Sequence, residues 1–280
     1  INFFTLNELT EKLDHFKDAH IISLIPTKGK IYDKIYEHLN NSKFKYSLVL
    51  SGNVPVPTLK MDEILFLSLK YPLHFLKKVK NRFNNLQPAI CKPQYIFTSS
   101  RTSESQFSVS KIKIPSYDYD ELISYERAHK NISYNSKKKY FVYLETPPSH
   151  PDGLYAKDRF PPEKPCSEKD WFSGLNYFFK NLVKVSGIQI KVLPHPRTTQ
   201  KCLDSLKYCE IENRNKKIDL IKNSSGVITQ ASSAISFAIY YDKPIIFIDQ
   251  NKLTFHNRRK IKYLSKYFNK VPVDMKKSIN

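Results

Sequence analysis

The amino-acid sequence predicts an α/β protein built from two Rossmann-like domains that face each other across a cleft. Short apolar runs alternate with amphipathic segments, a pattern typical of parallel sheets covered by helices. This alternation occurs once in each half of the 280 residues. A polar stretch over 130–139 separates the halves. We therefore predict an N-terminal, acceptor-side domain over 1–130 and a C-terminal, nucleotide-binding domain over 139–280.

In the first half, four apolar runs predict strands and the amphipathic segments between them predict helices. The predicted strands are 19–27, 46–52, 94–100 and 111–118, and the predicted helices are 30–40, 60–86 and 119–130. Pro72 cannot donate a backbone hydrogen bond, so we expect the long helix to break or kink there.

The second half repeats this pattern more sharply. The predicted strands are 139–145, 188–194, 226–229 and 244–249, and the predicted helices are 169–185, 216–223, 232–241 and 258–268. A proline-rich loop over 146–165 follows the first of these strands.

The composition restricts the classes of function. The chain is 40% hydrophobic and 13% aromatic, which excludes a disordered protein. Six glycines against seventeen prolines argue against a glycine-rich phosphate loop. The net charge is +20, so the chain attracts polyanions such as nucleic acid, anionic lipid or anionic sugar nucleotides. A solvated lysine-rich surface is the alternative explanation for any single basic run.

The four cysteines form no CxxC pair and have no histidine at a ligand spacing, so we expect free thiols, no metal and a reducing compartment. The first ten residues lack the basic start and apolar core of a signal peptide. No run approaches the ~20 apolar residues of a membrane span. The sequence thus predicts a cytoplasmic protein that is at most peripheral at the inner face of the membrane.

Polar residues follow the strands of the second half. Ligands of open parallel sheets bind beyond the carboxyl ends of the strands, so we expect these residues to meet at one sheet edge. They are Glu145 to Asp152, His195 and Arg197, Thr229 to Ser233, and Asp249 to Asn251.

Each of these residues has a binding interpretation and a plainer one. Ser232 and Ser233 either cap a helix or hold a phosphate at its start. His195, fixed between two prolines, is either structural or a donor to a departing phosphate, and Arg197 adds a bidentate cation. We predict Thr229 and Lys243 as further donor-binding residues.

The carboxylates are candidates for the chemistry. Glu145 and Asp152 suit a base or a nucleophile toward a sugar carbon, although Asp before Gly is also common in turns. His150 lies between them, in a second His-Pro pair. Asp118 and Asp120 either cap a helix or face the cleft.

Three motifs carry a resemblance to a known family. HP (195–196), SS (232–233) and KPIIFI (243–248) are similar to motifs of bacterial glycosyltransferases of GT-B fold that use CMP-activated acidic sugars, including sialyl- and Kdo-transferases. YDYD (117–120), VYLETPPSHPD (142–152) and VLPHPR (192–197) resemble segments of surface-polysaccharide transferases of capsule and O-antigen loci.

The resemblance implies transfer to a glycan or glycolipid acceptor, with no cofactor beyond the nucleotide-sugar donor. Apart from Asp118-Tyr119-Asp120, no DxD motif lies between strands, so we expect the transfer to be metal-independent. It implies that His195, Ser232 and Ser233 contact the CMP phosphate. The strand end reads Glu145 where the family more often has Asp, so either Glu145 or Asp152 would react.

Two other functions fit parts of the sequence. A polyol-phosphate transferase with a CDP-activated donor needs the same phosphate site. A nucleic-acid-binding protein would explain the charge, but the sequence contains no recognisable nucleic-acid-binding motif, so we expect no nucleic-acid partner.

Overall fold

The protein is described by a computed structural model. The described residues are 5–16, 18–24, 30–50, 60–84, 92–98, 109–115, 117–129, 139–146, 166–196 and 198–277. The proline-rich loop predicted over 146–165 lies outside them except for residue 146.

Two compact units divide the chain. The first contains Ile1–Asn53 and Val79–Tyr117, and the second contains Val54–Lys78 and Asp118–Asn280. The predicted N-terminal domain, 1–130, differs from the first unit because 54–78 and 118–130 group with the second. The predicted boundary at 130–139 falls almost wholly outside the described residues and stays a prediction.

The first unit contains a four-stranded parallel sheet in the order β1-β2-β3-β4. Its elements are α1 (Leu6–Asp14), β1 (His20–Ser23), α2 (Lys30–Asn41), β2 (Lys45–Leu50), β3 (Tyr95–Thr98) and β4 (Ser110–Lys113). The apolar side of α2 packs on the sheet through Ile35, Tyr36 and Leu39, which join Leu48 and Ile96 in one core. The helix α1 was not predicted; the Thr5 hydroxyl and the Glu8 carboxylate form its capping box.

The predicted long helix over 60–86 is two helices, α3 (Met61–Lys70) and α4 (Pro72–Asn84). The predicted break at Pro72 is confirmed, and its physical reason is the expected one. Proline is favoured at the first position of a helix, where its missing amide hydrogen would have no partner.

The second unit contains a six-stranded parallel sheet in the order β10-β9-β8-β5-β6-β7. Its elements are α5 (Tyr117–Ala128), β5 (Tyr140–Leu144), α6 (Glu168–Ser186), β6 (Gln189–Leu193), α7 (Gln200–Asp204), β7 (Glu210–Ile211), α8 (Lys217–Asn223), β8 (Gly226–Thr229), α9 (Ile235–Tyr240), β9 (Ile245–Asp249), α10 (Phe255–Tyr267) and β10 (Val273–Asp274). The predicted α/β class, with a parallel Rossmann-like sheet in each half of the chain, is confirmed.

The sheet of the second unit reverses its winding direction next to β5. From β5 the chain adds β6 and β7 on one side, and then returns to add β8, β9 and β10 on the other. This is the strand order 3-2-1-4-5-6 of dinucleotide-binding Rossmann folds. The carboxyl ends of β5 and β8 flank the point of reversal, where the helices that follow them leave on opposite faces of the sheet and a crevice opens.

The helix α6 covers one face of this sheet. The Ser167 hydroxyl accepts a hydrogen bond from the Asp170 amide and caps its start. Gly187, with φ of 65°, ends it in the left-handed conformation that glycine adopts without strain. Between these caps one side of the helix is buried, and its members Trp171, Leu175, Phe178, Phe179 and Leu182 join the larger core of the unit.

The helix α5 packs on the other face, against α8 and α9. Leu122 lies in the core there. Around it, the Lys217 ammonium meets the Glu121 carboxylate at 2.7 Å, and the Lys222 ammonium meets Glu126 at 3.0 Å. The Tyr241 hydroxyl also donates to Glu126. These contacts explain why the residues after Asp118 belong to the second unit.

Cys166 and Cys202 are buried free thiols, and Cys209 is partly buried. Burial raises the pKa of the Cys209 thiol to about 11, which makes it a poor nucleophile. Among the helices that the structure describes, none is long and apolar enough to cross a membrane.

Candidate functional site at the point of reversal

The strand β5 delivers Glu145 to the carboxyl edge of the sheet. The strand is almost wholly buried, and the Glu145 amide extends its ladder by donating to the Leu193 carbonyl at 3.1 Å. The first side chain beyond the strand is therefore fixed in place. That side chain is Glu145, which is only 2% exposed. Carboxylates are rarely buried so completely unless a partner neutralises them.

The two oxygens of Glu145 have different surroundings. Oε2 accepts a hydrogen bond from the His195 backbone amide at 3.1 Å. Oε1 is buried, and no group in the described part of the chain donates a hydrogen bond to it. Burial raises the pKa of the Glu145 carboxyl, and the nearby Thr198 hydroxyl, the His195 amide and the Arg214 charge oppose that rise. The Thr198 hydroxyl does not reach hydrogen-bond geometry with Oε1, because its own oxygen is also buried without a partner among the described residues.

The exit of β6 forms the second wall. Pro194 is buried, His195 is partly exposed and Pro196 is exposed, so the PHP segment turns outward at the sheet edge. The His195 carbonyl closes this turn by accepting from the Thr198 amide at 3.0 Å. The Arg214 guanidinium donates to the Pro196 carbonyl at 3.1 Å and is thereby held beside the turn.

The exit of β8 forms the third wall. The buried Thr229 hydroxyl accepts from the Ser232 amide, and the Ser232 hydroxyl accepts from the Ala234 amide, both at 3.3 Å. Because these bonds form a turn, α9 begins only at Ile235 and not at 232 as predicted. Ser232 and Ser233 therefore precede the helix instead of capping it.

Two further side chains complete the walls. Asp118, at the start of α5, accepts a hydrogen bond from the Ser236 hydroxyl at 2.9 Å. Lys217, at the start of α8, is shared between Glu121 and the face of the Phe237 ring, whose centroid lies 4.5 Å from its nitrogen.

These residues enclose a cavity of about 290 Å³, close to the lower limit for small-molecule sites. It lies within the second unit, at the point where the sheet reverses direction. Its lining residues are Asp118, Leu144, Glu145, Leu193, Pro194, His195, Pro196, Arg214, Lys217, Ser232, Ser233 and Ala234. Two cations, a histidine, two hydroxyls and a second carboxylate, Asp118, thus surround the buried Glu145, an arrangement suited to an anionic ligand that carries an electrophilic carbon.

The structure brings together five of the predicted site residues: Asp118, Glu145, His195, Ser232 and Ser233. Three others, His150, Asp152 and Arg197, lie outside the described residues. The remaining three are placed elsewhere. Asp120 is exposed on α5, and Thr229 is buried beneath the turn. Lys243 precedes β9, so it lies at the amino edge of the sheet, opposite the cavity.

Arg214 and Lys217 line the cavity but were not among the predicted site residues. They follow β7, which has only two residues and no apolar pattern of its own. Without that strand, the basic run NRNKK at 213–217 resembles the other lysine-rich surface segments. The signal that could have identified it is its position between two predicted elements of the second half.

The described residues contain no group of three or more His, Cys, Asp or Glu side chains that could hold a metal ion. The predictions that transfer needs no metal and no cofactor are not tested by this observation.

Comparison with known proteins yields likenesses of low similarity only. No protein-family model matches the chain, and no curated protein sequence matches it significantly. One similar solved structure is the glycotransferase of kitacinnamycin, with a TM-score of 0.48 and 8% identity over 98% of this chain and 67% of that one. Another is the UDP-GlcNAc 2-epimerase from Methanocaldococcus jannaschii, with a TM-score of 0.46 and 13% identity over 98% and 75%. Both scores are below 0.5, so the function is inferred from the cavity itself.

Proposed function

We propose that the protein is a glycosyltransferase of bacterial surface-polysaccharide biosynthesis. It moves an acidic sugar, such as Kdo, sialic acid or another nonulosonic acid, from a CMP-activated donor to a glycan or glycolipid acceptor. The observation that carries the proposal is the cavity at the reversal of the sheet, where cationic and hydroxyl groups surround the buried Glu145 carboxylate.

The cations fit the donor's phosphate. Arg214 and Lys217 come from the segment after β7, whereas Ser232 and Ser233 come from the turn after β8, so the two pairs approach the cavity from different strands. A nucleoside monophosphate needs this combination, because its charge is neutralised by the cations while the hydroxyls donate hydrogen bonds to its oxygens. As the sugar departs, the same groups stabilise the charge that develops on CMP.

Glu145 fits the reacting carbon. Its free Oε1 is buried, and an anomeric carbon that is losing CMP becomes electron-poor and attracts a carboxylate oxygen. In one mechanism Oε1 bonds to that carbon as the C–O bond to CMP breaks, and the acceptor hydroxyl then displaces it with overall retention. In the other, Glu145 takes the proton of the acceptor hydroxyl, which attacks directly with inversion.

The test is turnover. The purified chain is incubated with CMP-, CDP-, UDP-, GDP- and ADP-linked donors and a glycan acceptor, and nucleotide release and the anomeric configuration of the product are measured. We expect release of CMP from the CMP-linked donors and from no other donor, undiminished by a chelator. Release of another nucleotide would contradict the CMP assignment, and transfer from CDP-polyols would assign the cavity to a polyol-phosphate transferase. No turnover together with salt-sensitive RNA or DNA binding would contradict the enzyme itself.

A further inference from the structure

The helix α3 exposes large apolar side chains to solvent. Met61, Leu65 and Leu69, spaced four residues apart on one side of the helix, are 80%, 63% and 75% exposed, and Phe66 is 63% exposed. The opposite side is also apolar, since Leu67 is 3% exposed. Apolar side chains on both the buried and the exposed side of one helix indicate that the exposed side also has a partner.

The first turns of α4, which follows directly in the chain, also expose apolar side chains. Leu73 is 79% exposed and Leu76 is 61% exposed. Clustered exposed apolar residues mark sites of interaction, whereas single ones carry no such meaning. We call the six side chains together the apolar face: Met61, Leu65, Phe66, Leu69, Leu73 and Leu76.

Lysines border the apolar face. Lys60 at the N-cap of α3, Lys70 at its end and Lys77 on α4 are exposed. Asp62, in the first turn of α3, is the exposed acid beside them. The Lys70 ammonium lies 6.0 Å from the centroid of the Phe66 ring, so a cation stands beside one of the most prominent apolar groups. Of the nearby acids, the Glu63 carboxylate is neutralised by the Arg259 guanidinium at 2.8 Å.

The buried side of α3 adjoins a basic pocket of about 270 Å³. Arg258 and Lys262 lie one turn apart on α10, and the Lys262 side chain is exposed. The pocket is lined by Glu63, Asn251, Leu253, Phe255, Arg258, Arg259 and Lys262. Arg258 pairs with the Asp249 carboxylate at 3.1 Å and Arg259 pairs with Glu63, so the exposed Lys262 supplies the remaining positive charge of this pocket.

We propose that the apolar face docks on a membrane surface that contains anionic lipids. The apolar side chains enter the boundary between headgroups and acyl chains, and the bordering cations meet the headgroup phosphates. A second copy of the chain is a poor occupant, because each copy carries +20 and repels the other. This inference does not depend on the proposed glycosyl transfer.

Vesicle flotation tests the apolar contribution. The full chain is mixed with vesicles of phosphatidylcholine alone or of phosphatidylcholine with phosphatidylglycerol. We expect it to float only with the anionic vesicles. The triple variant L65S/F66S/L69S should bind at least about tenfold more weakly, because it removes half of the side chains of the apolar face. The matched control V185S/Y267S/V271S removes apolar groups that are equally exposed elsewhere and should bind as the wild type does.

A second pair of variants tests the charge. Lys70→Gln with Lys77→Gln should weaken binding about fivefold per lysine, and added salt should reduce this difference. Lys184→Gln with Lys207→Gln, which changes two exposed lysines elsewhere, is the control.

Either of two results overturns the proposal. One is a wild-type chain that does not float with anionic vesicles. The other is a triple variant that keeps its thermal unfolding transition and still floats as the wild type does. A dimer in sedimentation velocity that the triple variant dissociates, with no vesicle binding, would assign the apolar face to a second copy.

Discussion

Glu126 and Glu145 are both carboxylates of the second unit, but their surroundings are opposite. Glu126 lies on α5, where the Tyr241 hydroxyl and the Lys222 ammonium donate to its oxygens, and these contacts lower the pKa of its carboxyl. Glu145 lies at the floor of the cavity, where burial raises the pKa and one oxygen has no donor among the described residues. The contacts of Glu126 join elements of the fold, whereas the surroundings of Glu145 leave a buried polar atom unsatisfied.

This difference separates a structural carboxylate, Glu126, from Glu145, the carboxylate that we propose to be functional. An unsatisfied buried acceptor costs free energy, so a native protein that retains one has a reason beyond packing. A raised carboxyl pKa in a cavity has the same meaning. Glu145 has both features, and Glu126 has neither.

The largest expected effect is the loss of activity when Glu145 is changed to Gln. We expect transfer from a CMP-sugar to fall by about 10²–10⁴-fold, because the amide neither bonds to the sugar carbon nor takes a proton. Initial rates measure this. Glu126→Gln should keep the wild-type rate, and equal losses in both variants would erase the distinction between the two carboxylates.

The next largest expected effect is a loss of CMP affinity, and it distinguishes two lysines of α8. Lys217 and Lys222 each pair with a glutamate of α5, but only Lys217 lines the cavity. We expect Lys217→Met to weaken CMP binding about ten- to a hundredfold through the lost charged contact. Lys222→Met removes a similar ion pair and should leave the dissociation constant unchanged in calorimetric titration. Equal weakening by both would mean that α8 acts only through stability.

The stability of the two glutamate variants, Glu145→Gln and Glu126→Gln, should change in opposite directions. The pKa of Glu145 is higher in the folded state than its ordinary value of 4.5. The free energy of unfolding therefore falls as pH rises from 4.5 through the raised pKa, where the unfolded state has already lost the proton. Glu145→Gln removes this loss and should raise the free energy of unfolding by about 1 kcal/mol at neutral pH. The gain should vanish in acid below that window. A lower free energy of unfolding in urea at neutral pH would contradict it.

The smallest expected effect is a loss of stability in Glu126→Gln, opposite in sign to the gain in Glu145→Gln. Because the pKa of Glu126 is lowered in the folded state, its ionised carboxylate stabilises the fold at pH values above 4.5, the ordinary pKa of a glutamate. This stability is lost as pH falls through the lowered pKa. Glu126→Gln should therefore lower the free energy of unfolding by about 0.5 kcal/mol at neutral pH, because solvent screens this partly exposed carboxylate, and by less in acid. Urea unfolding at both pH values measures this, with the exposed Glu37→Gln as control. A loss that is independent of pH would show that the carboxylate charge is not its cause.

The strands of the second unit were predictable because apolar runs, such as that of β5, are bounded by polar residues. Since every such strand runs in the same direction, Glu145, His195 and Ser232 could be assigned to one edge before any coordinates. The two-residue strands β7 and β10 were not predictable, because they are too short for a periodic pattern. Arg214 was therefore missed along with β7.

The other differences have causes that no periodic pattern in the sequence reveals. Lys243 belongs to a motif in the sequence, but it precedes β9 and so lies at the opposite edge. The start of α9 moved because Thr229 and Ser232 form a turn that no helical periodicity reveals. The packing of Glu126 against Lys222 joins residues 96 positions apart, and no local pattern predicts such a pair.

The most direct test of the cavity as a nucleotide site is a thermal-shift titration with CMP, beside UDP, GDP and ADP. A ligand that binds only the folded state stabilises it by about 2.7 kcal/mol at a hundred times its dissociation constant. We expect stabilisation by CMP alone, and its loss in His195→Ala, whose side chain leaves the cavity wall. No stabilisation by CMP, or stabilisation that survives His195→Ala unchanged, would contradict a CMP site at the reversal of the sheet.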